Sequence, residues 1–406
     1  VKELAEEAFH IYEELGDKRG SMSSLISMAY AHVTDPTATG MAGRMEHIRA
    51  LHNSKSGEVT ESQRAIDDAN MLYSIHTYAR INLQPGLALE RGREAFDAAR
   101  ALGDRWLECL AAGGMAMSYL SVGEESQCGA WIDRAASAAM SVASTSMARR
   151  LEMWRGAHAA ARDDVAGMVS HFERAAELAG QKNLGARSEA YSTLAFELAR
   201  IGVANGDDAV LKQAKAAATE TLRTVRPMSG RLPWEAEAHA ALALIAQAEG
   251  DGAAAADEAR AALDIDGETF IAQYLHVLWA AGRILIVNGE PEAAALSAEI
   301  LGGFTYVNMS ISDPQLKARW FEVPAHQELA EIVGFEPSEA WQAEEGTQLS
   351  EADLALLRDL ASGTVSVGEN PGAGGADDVD ELLAKLGVAS RSEAIEYAIK
   401  AGVTWQ

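Results

Sequence analysis

Cysteine is nearly absent from this chain. Cys109 and Cys128 are the only two in 406 residues, and each sits inside an apolar stretch patterned for helix. Two thiols exclude a disulfide framework and point to a reducing, cytoplasmic compartment. Aromatic residues are also few, at 6%, and there are few of the β-branched runs that build sheets. Basic residues are outnumbered, 34 against 60 acidic, for a net charge of −26. Such a surface favours solubility and repels nucleic acid and anionic membranes unless cations cluster locally. No apolar run reaches membrane-spanning length and no signal peptide occurs, so no membrane partner is expected. Motifs for catalysis are missing too: there is no G-x-x-x-x-G-K-[ST], no H-E-x-x-H, no C-x-x-C and no G-x-S-x-G. The ten histidines are scattered, and none sits at i, i+4 from another ligand type on a convincing face. These gaps predict no enzyme activity, no cofactor and no metal site.

What the chain does have is alanine and leucine. Hydrophobic residues reach 48%, enough for a large core or for several stacked units, and the composition favours helix. The pattern also repeats. An apolar helix, a turn rich in Gly, Asp and Glu, a second apolar helix and another turn follow one another through most of the chain. Gly123-Glu124, Asp163-Asp164, Gly250-Asp251 and Gly289-Glu290-Pro291 mark such turns. The alanine expected near the middle of each second helix falls at Ala95, Ala135, Ala175, Ala218 and Ala262, at intervals of 40, 40, 43 and 44 residues. The series continues to Ala298 or Leu301. A fixed period in the range of roughly 20–50 residues is the mark of a solenoid.

Within these units Met115, Ala116 and Tyr119 take large, small and aromatic positions of a first helix, and Cys128, Ile132 and Ala135 take small, large and small positions of a second. Gly156, Met168, Phe172 and Ala175 form a second such set, and Leu242, Ala243, Ala255, Ala259 and Ala262 a third. The units resemble tetratricopeptide repeats, with a longer period than the roughly 34 residues of the standard repeat. The resemblance implies an all-α fold: a right-handed superhelix of antiparallel helix pairs over 1–335, with 34–62 as an insertion or loop. An acidic linker over 336–348 leads to a small helical domain over 349–406.

In a solenoid the first helices line a concave face. The stripe predicted to face inward is His276, Trp279, Arg283 and Ile286, joined by Met117 and Met153 from earlier units, with Tyr274 near it. Trp279 with Arg283 one turn later offers an aromatic face and a cation to an anionic or aromatic ligand. The plainer expectation for each aromatic is packing between repeats.

The C-terminal stretch opens with LSEADLALLRDLASG and closes with KLGVASRSEA, Lys385 to Ala394. Both ends resemble a LuxR-type helix-turn-helix domain, whose recognition helix ends in KLGV. The family's contact positions fall on Gly374, Ala376, Asp377 and Asp378. Asp380 and Glu381 follow, and from Trp341 to Gln406 there are 12 acidic and 4 basic residues. Carboxylates there repel phosphates, so DNA is a disfavoured partner although the hydrophobic scaffold is kept. The period of the repeats is what sensor regions of large LuxR-type regulators show. These regulators carry an ATPase upstream, and the start at Val1 inside a helical pattern suggests a fragment of such a protein. The resemblance thus implies the sensor and output part of a bacterial transcriptional regulator. Its solenoid would bind a small-molecule effector or a partner protein and govern homo-oligomerisation. The alternative is a protein- or peptide-binding repeat scaffold without DNA binding.

Overall fold

Each turn from a first helix to a second is built on one plan. The computed structural model describes residues 8–12, 61–81, 83–228, 233–264, 275–311, 313–336 and 382–386. The described residues are helical with no strand. Five consecutive pairs are α1 (Glu61–Ile81) with α2 (Pro85–Leu102), α3 (Arg105–Leu120) with α4 (Glu125–Ala139), α5 (Thr145–Ala161) with α6 (Val165–Ala179), α7 (Leu184–Asn205) with α8 (Asp208–Val225), and α9 (Pro233–Ala248) with α10 (Gly252–Leu263). A sixth pairs α11 (275–287) with α12 (Ala293–Ser310), and two short helices, α13 (Pro314–Glu322) and α14 (Pro324–Val333), follow.

In all six pairs the first helix ends on a residue with positive φ: Leu83, Gly123, Asp163, Gly206, Gly250 and Gly289. The amide of the next residue reaches back to a carbonyl five positions earlier, as Asp207 does to Gly202 at 3.0 Å and Asp251 to Ala246 at 3.0 Å. This left-handed closure satisfies carbonyls that a helix end leaves open. The same residue then starts the second helix in three pairs. Asp164 accepts from the amide of Gly167, Asp207 from Ala209 and Val210, and Asp251 from Ala254. One short turn therefore stops one helix and caps the next, which holds the two antiparallel.

Twelve residues beyond the first five of these turns stand Ala95, Ala135, Ala175, Ala218 and Ala262, all fully buried. Met115, Ala116, Cys128, Ile132, Met168 and Phe172 are buried with them. Small side chains bring paired backbones close and large ones fill the gaps. The sixth pair departs from the series. Ala298 and Leu301 are both exposed, and Ile300 takes the inner position at 2% exposure. Pro291 and Glu292 separate the turn from the start of α12, two residues more than in the other pairs, so an offset of twelve no longer selects the inner face.

Polar pairs recur as well. His171 lies 2.7 Å from Glu152 across α5–α6, and His239 lies 2.6 Å from Glu258 across α9–α10. The two pairs occupy matching positions with the partners exchanged. Both cysteines are free and buried, and burial, helped by Glu108 and Glu125 respectively, pushes each thiol up to about 12. They stay protonated and act as small apolar residues. The sequence reading of 34–62, of the 336–348 linker and of the 349–406 domain lies outside the described residues, except that α1 already begins at Glu61 and that Glu336 and the helical stretch 382–386 are described.

Candidate binding site where the helix array closes

Of the sequence-predicted stripe on α11, Trp279 and Arg283 are covered by α14. Here α11 widens into a π-helical turn over Leu278–Gly282, a geometry often found at functional sites. The indole N–H of Trp279 donates to Glu328 Oε2 at 3.0 Å, and Arg283 Nε meets Glu328 Oε1 at 2.5 Å. One carboxylate of α14 thus engages both side chains, and Trp279 is 9% exposed. His276 turns the other way, its Nε2 2.8 Å from Glu237 on α9, with Phe196 edge-on at 4.9 Å. Met117 packs with the core of the first pairs, and Met153 packs beside Tyr191 between the third and fourth. Neither is brought to the α11 cluster by any of these contacts. Tyr274, Gly374, Ala376, Asp377 and Asp378 lie outside the described residues.

Beyond α12 the chain comes back to its first pairs. Leu316 of α13 approaches Gly86, Val323 lies 3.5 Å from where a side chain on Gly123 would begin, and Arg319 pairs with Glu124. Leu83 and Val122, from the first two turns, share a core cluster with Phe304, Trp320 and Leu329.

A cavity of about 140 Å³ lies at this junction. Arg80, Leu83, Pro85 and Ala88 line it from the first pair and Ser118 and Ser121 from the second. Leu275 and His276 come from α11, and Trp320, Ala325 and His326 from the closing helices. Trp320 and His326 stack at 3.9 Å, forming a flat wall. His326 Nδ1 donates to the Trp320 carbonyl at 2.8 Å. Burial holds this imidazole down to about 4, so it is neutral with a lone pair on Nε2. On the side of the first two pairs His76 is fully buried and likewise lowered to about 4 by burial, with Nδ1 2.7 Å from the Ala88 carbonyl.

Three polar groups of the cavity wall stand out. Ser118 is 1% exposed and its hydroxyl has no hydrogen-bond partner among the described residues. Ser121 donates to the Ser118 carbonyl at 2.9 Å. Arg80 is half-buried and borders the cavity. Burial pulls its guanidinium below the ordinary value, Tyr73 partly offsets this and Arg150 adds to it. Sequence reasoning missed this constellation. Arg80 reads as a routine cation in the last turn of a helix, and Trp320 follows it some 240 residues later.

The class that the described residues define is an all-α array of paired helices closed on itself by two short helices. No protein-family model matches the chain, and no curated protein matches it at a significant level. Among the described residues no helix is long and apolar enough to cross a membrane, and no group of three or more His, Cys, Asp or Glu is placed to hold a metal ion.

Proposed function

We propose that this chain is the sensor and output part of a LuxR-type bacterial transcriptional regulator, its helix pairs forming a right-handed superhelix that binds an effector or a partner protein. The observation that carries the sensing half is the closure of α13 and α14 onto the first pairs around a walled cavity. A ligand or partner that binds the tied and untied arrangements with different affinity shifts the balance between them, and so changes the surface offered for oligomerisation. The output half rests on KLGVASRSEA and LSEADLALLRDLASG.

Duplex DNA binding against a random library, titrated in salt, tests the output half. Binding that weakens steeply with salt supports a regulator with phosphate contacts. No binding at low salt refutes DNA output. A second reading, a repeat scaffold for proteins or peptides that never touches DNA, then takes its place. The acidic run Asp377, Asp378, Asp380 and Glu381 favours that reading.

A further inference from the structure

We propose that the cavity between the first two helix pairs and α13–α14 is a binding site for a small organic carboxylate, an acid about the size of benzoate, with its carboxylate on Arg80 and its apolar body against Leu275, Ala325 and the His326 ring. The proposal rests on the effector half of the reading above and is independent of DNA output.

Charge supplies the first reason. The chain carries −26 overall, yet the described cavity lining holds a guanidinium and no carboxylate. A partly buried cation with no counter-ion among the described residues is unfavourable, and a carboxylate that enters reduces that penalty with two parallel N–H···O bonds. The described lining disfavours the opposite occupant: a metal ion or an ammonium group would meet Arg80 and find no acid among these residues.

Hydrogen bonding supplies the second. A buried hydroxyl without a partner is rare and calls for an explanation. The Ser118 hydroxyl, at the same wall as Arg80, gains an acceptor when a carboxylate arrives. Ser121 has already spent its proton on the Ser118 carbonyl and offers lone pairs.

Size and shape supply the third. A cavity of roughly 150 Å³ lined by apolar side chains holds benzene, and this one measures about 140 Å³. Leu83, Pro85, Leu275 and Ala325 make most of the remaining wall apolar, and the half-buried His326 ring, backed by the buried Trp320, presents a flat face to a ring. Inorganic phosphate satisfies Arg80 and leaves that apolar surface uncovered.

Isothermal titration calorimetry of the whole chain at fixed ionic strength tests this, using sodium benzoate, the neutral isostere benzamide and inorganic phosphate. The expected result is saturable binding of one benzoate per chain, with benzamide and phosphate each at least tenfold weaker. Arg80→Met is expected to weaken benzoate at least tenfold, and Arg80→Lys to restore part of the loss. Ala325→Leu fills the cavity and keeps the charge, so it is expected to abolish binding without lowering Tm. That variant decides the matter if Arg80→Met fails to fold. The site is refuted if benzoate and C4–C6 aliphatic carboxylates all fail to bind. It is also refuted if Arg80→Met and Ala325→Leu both leave benzoate affinity unchanged, or if phosphate binds more tightly than benzoate. Benzoate binding that leaves oligomeric state and DNA affinity unchanged keeps the site and removes the effector-governed regulator. Salt-dependent DNA binding without any carboxylate binding does the reverse.

Discussion

Acidification is expected to weaken this fold through two histidines, and His76 gives the cleaner test. Its ring is fully buried between the first two pairs, so close to Gly92 and Gly114 that a Cβ on either would stand 2.6 Å and 2.2 Å from its nitrogens. Nδ1 donates to the Ala88 carbonyl, while Nε2 has no partner. A second proton would sit on Nε2 with nothing to accept it. Folding therefore holds the imidazole at about 4, against 6.5 for the ordinary value. For a base lowered on folding, protonation favours the unfolded chain. The stability is complete above about 6.5, falls as pH drops towards 4, and is level below that. One pKa unit corresponds to about 1.4 kcal/mol, so the loss between pH 7 and pH 5 is about 2 kcal/mol for this residue. His326, also at about 4, adds a similar amount.

Urea unfolding of the wild type and His76→Asn at pH 7 and pH 5 reads this out. The variant lowers stability at both pH values by leaving space beside the two glycines. What matters is the difference between the two pH steps, in which the cost of the substitution and the response of every other group cancel. The wild type is expected to lose about 2 kcal/mol more than the variant on going from pH 7 to pH 5. Equal losses would show that His76 is protonated as readily in the folded chain as in the unfolded one, and the reasoning from burial would fail.

Three further outcomes follow from particular contacts. Asp163 holds a left-handed conformation, at φ 53°, where four of the six turns have glycine. Asp163→Gly is expected to raise stability by about 0.5–1 kcal/mol by thermal unfolding, because Arg200 keeps its bonds to Glu197 and the Ala160 carbonyl. A side chain at Gly113 would begin 2.1 Å from the Trp154 ring. Gly113→Ala is expected to cost about 1–3 kcal/mol and to shift tryptophan fluorescence as that ring moves. Glu328→Ala leaves the Trp279 N–H and Arg283 without their carboxylate. It is expected to cost about 1–3 kcal/mol, and limited proteolysis should then cut 313–336 faster than in the wild type.

The helix pairs were legible because the turn sets the period. A left-handed residue followed by a capping residue fixes where the second helix begins, and so which alanine faces inward. Leu83 and Asp163 hide two of these turns from any search for glycine, and Pro291 with Glu292 broke the count at the sixth pair. The exchanged pairs Glu152–His171 and His239–Glu258 show why matching positions need not share residues: the contact is kept while each identity is lost. His276, Trp279 and Arg283 were legible as neighbours because residues three and four apart share a helix face. The cover of Trp279 and Arg283 was not, since Glu328 reaches those two only through the path taken by α13 and α14. Arg80, Ser118 and Trp320 meet for the same reason. No local spacing encodes a contact between the first pair and the last helices.

An open stack of repeats behaves as a spring, in which each unit touches only its neighbours and can yield alone. The link between Arg319 and Glu124, with Leu316 over Gly86 and Val323 against Gly123, turns this stack into a loop fastened by a clasp. Pulled from its two ends, such a loop must open the clasp before the units beyond it can extend.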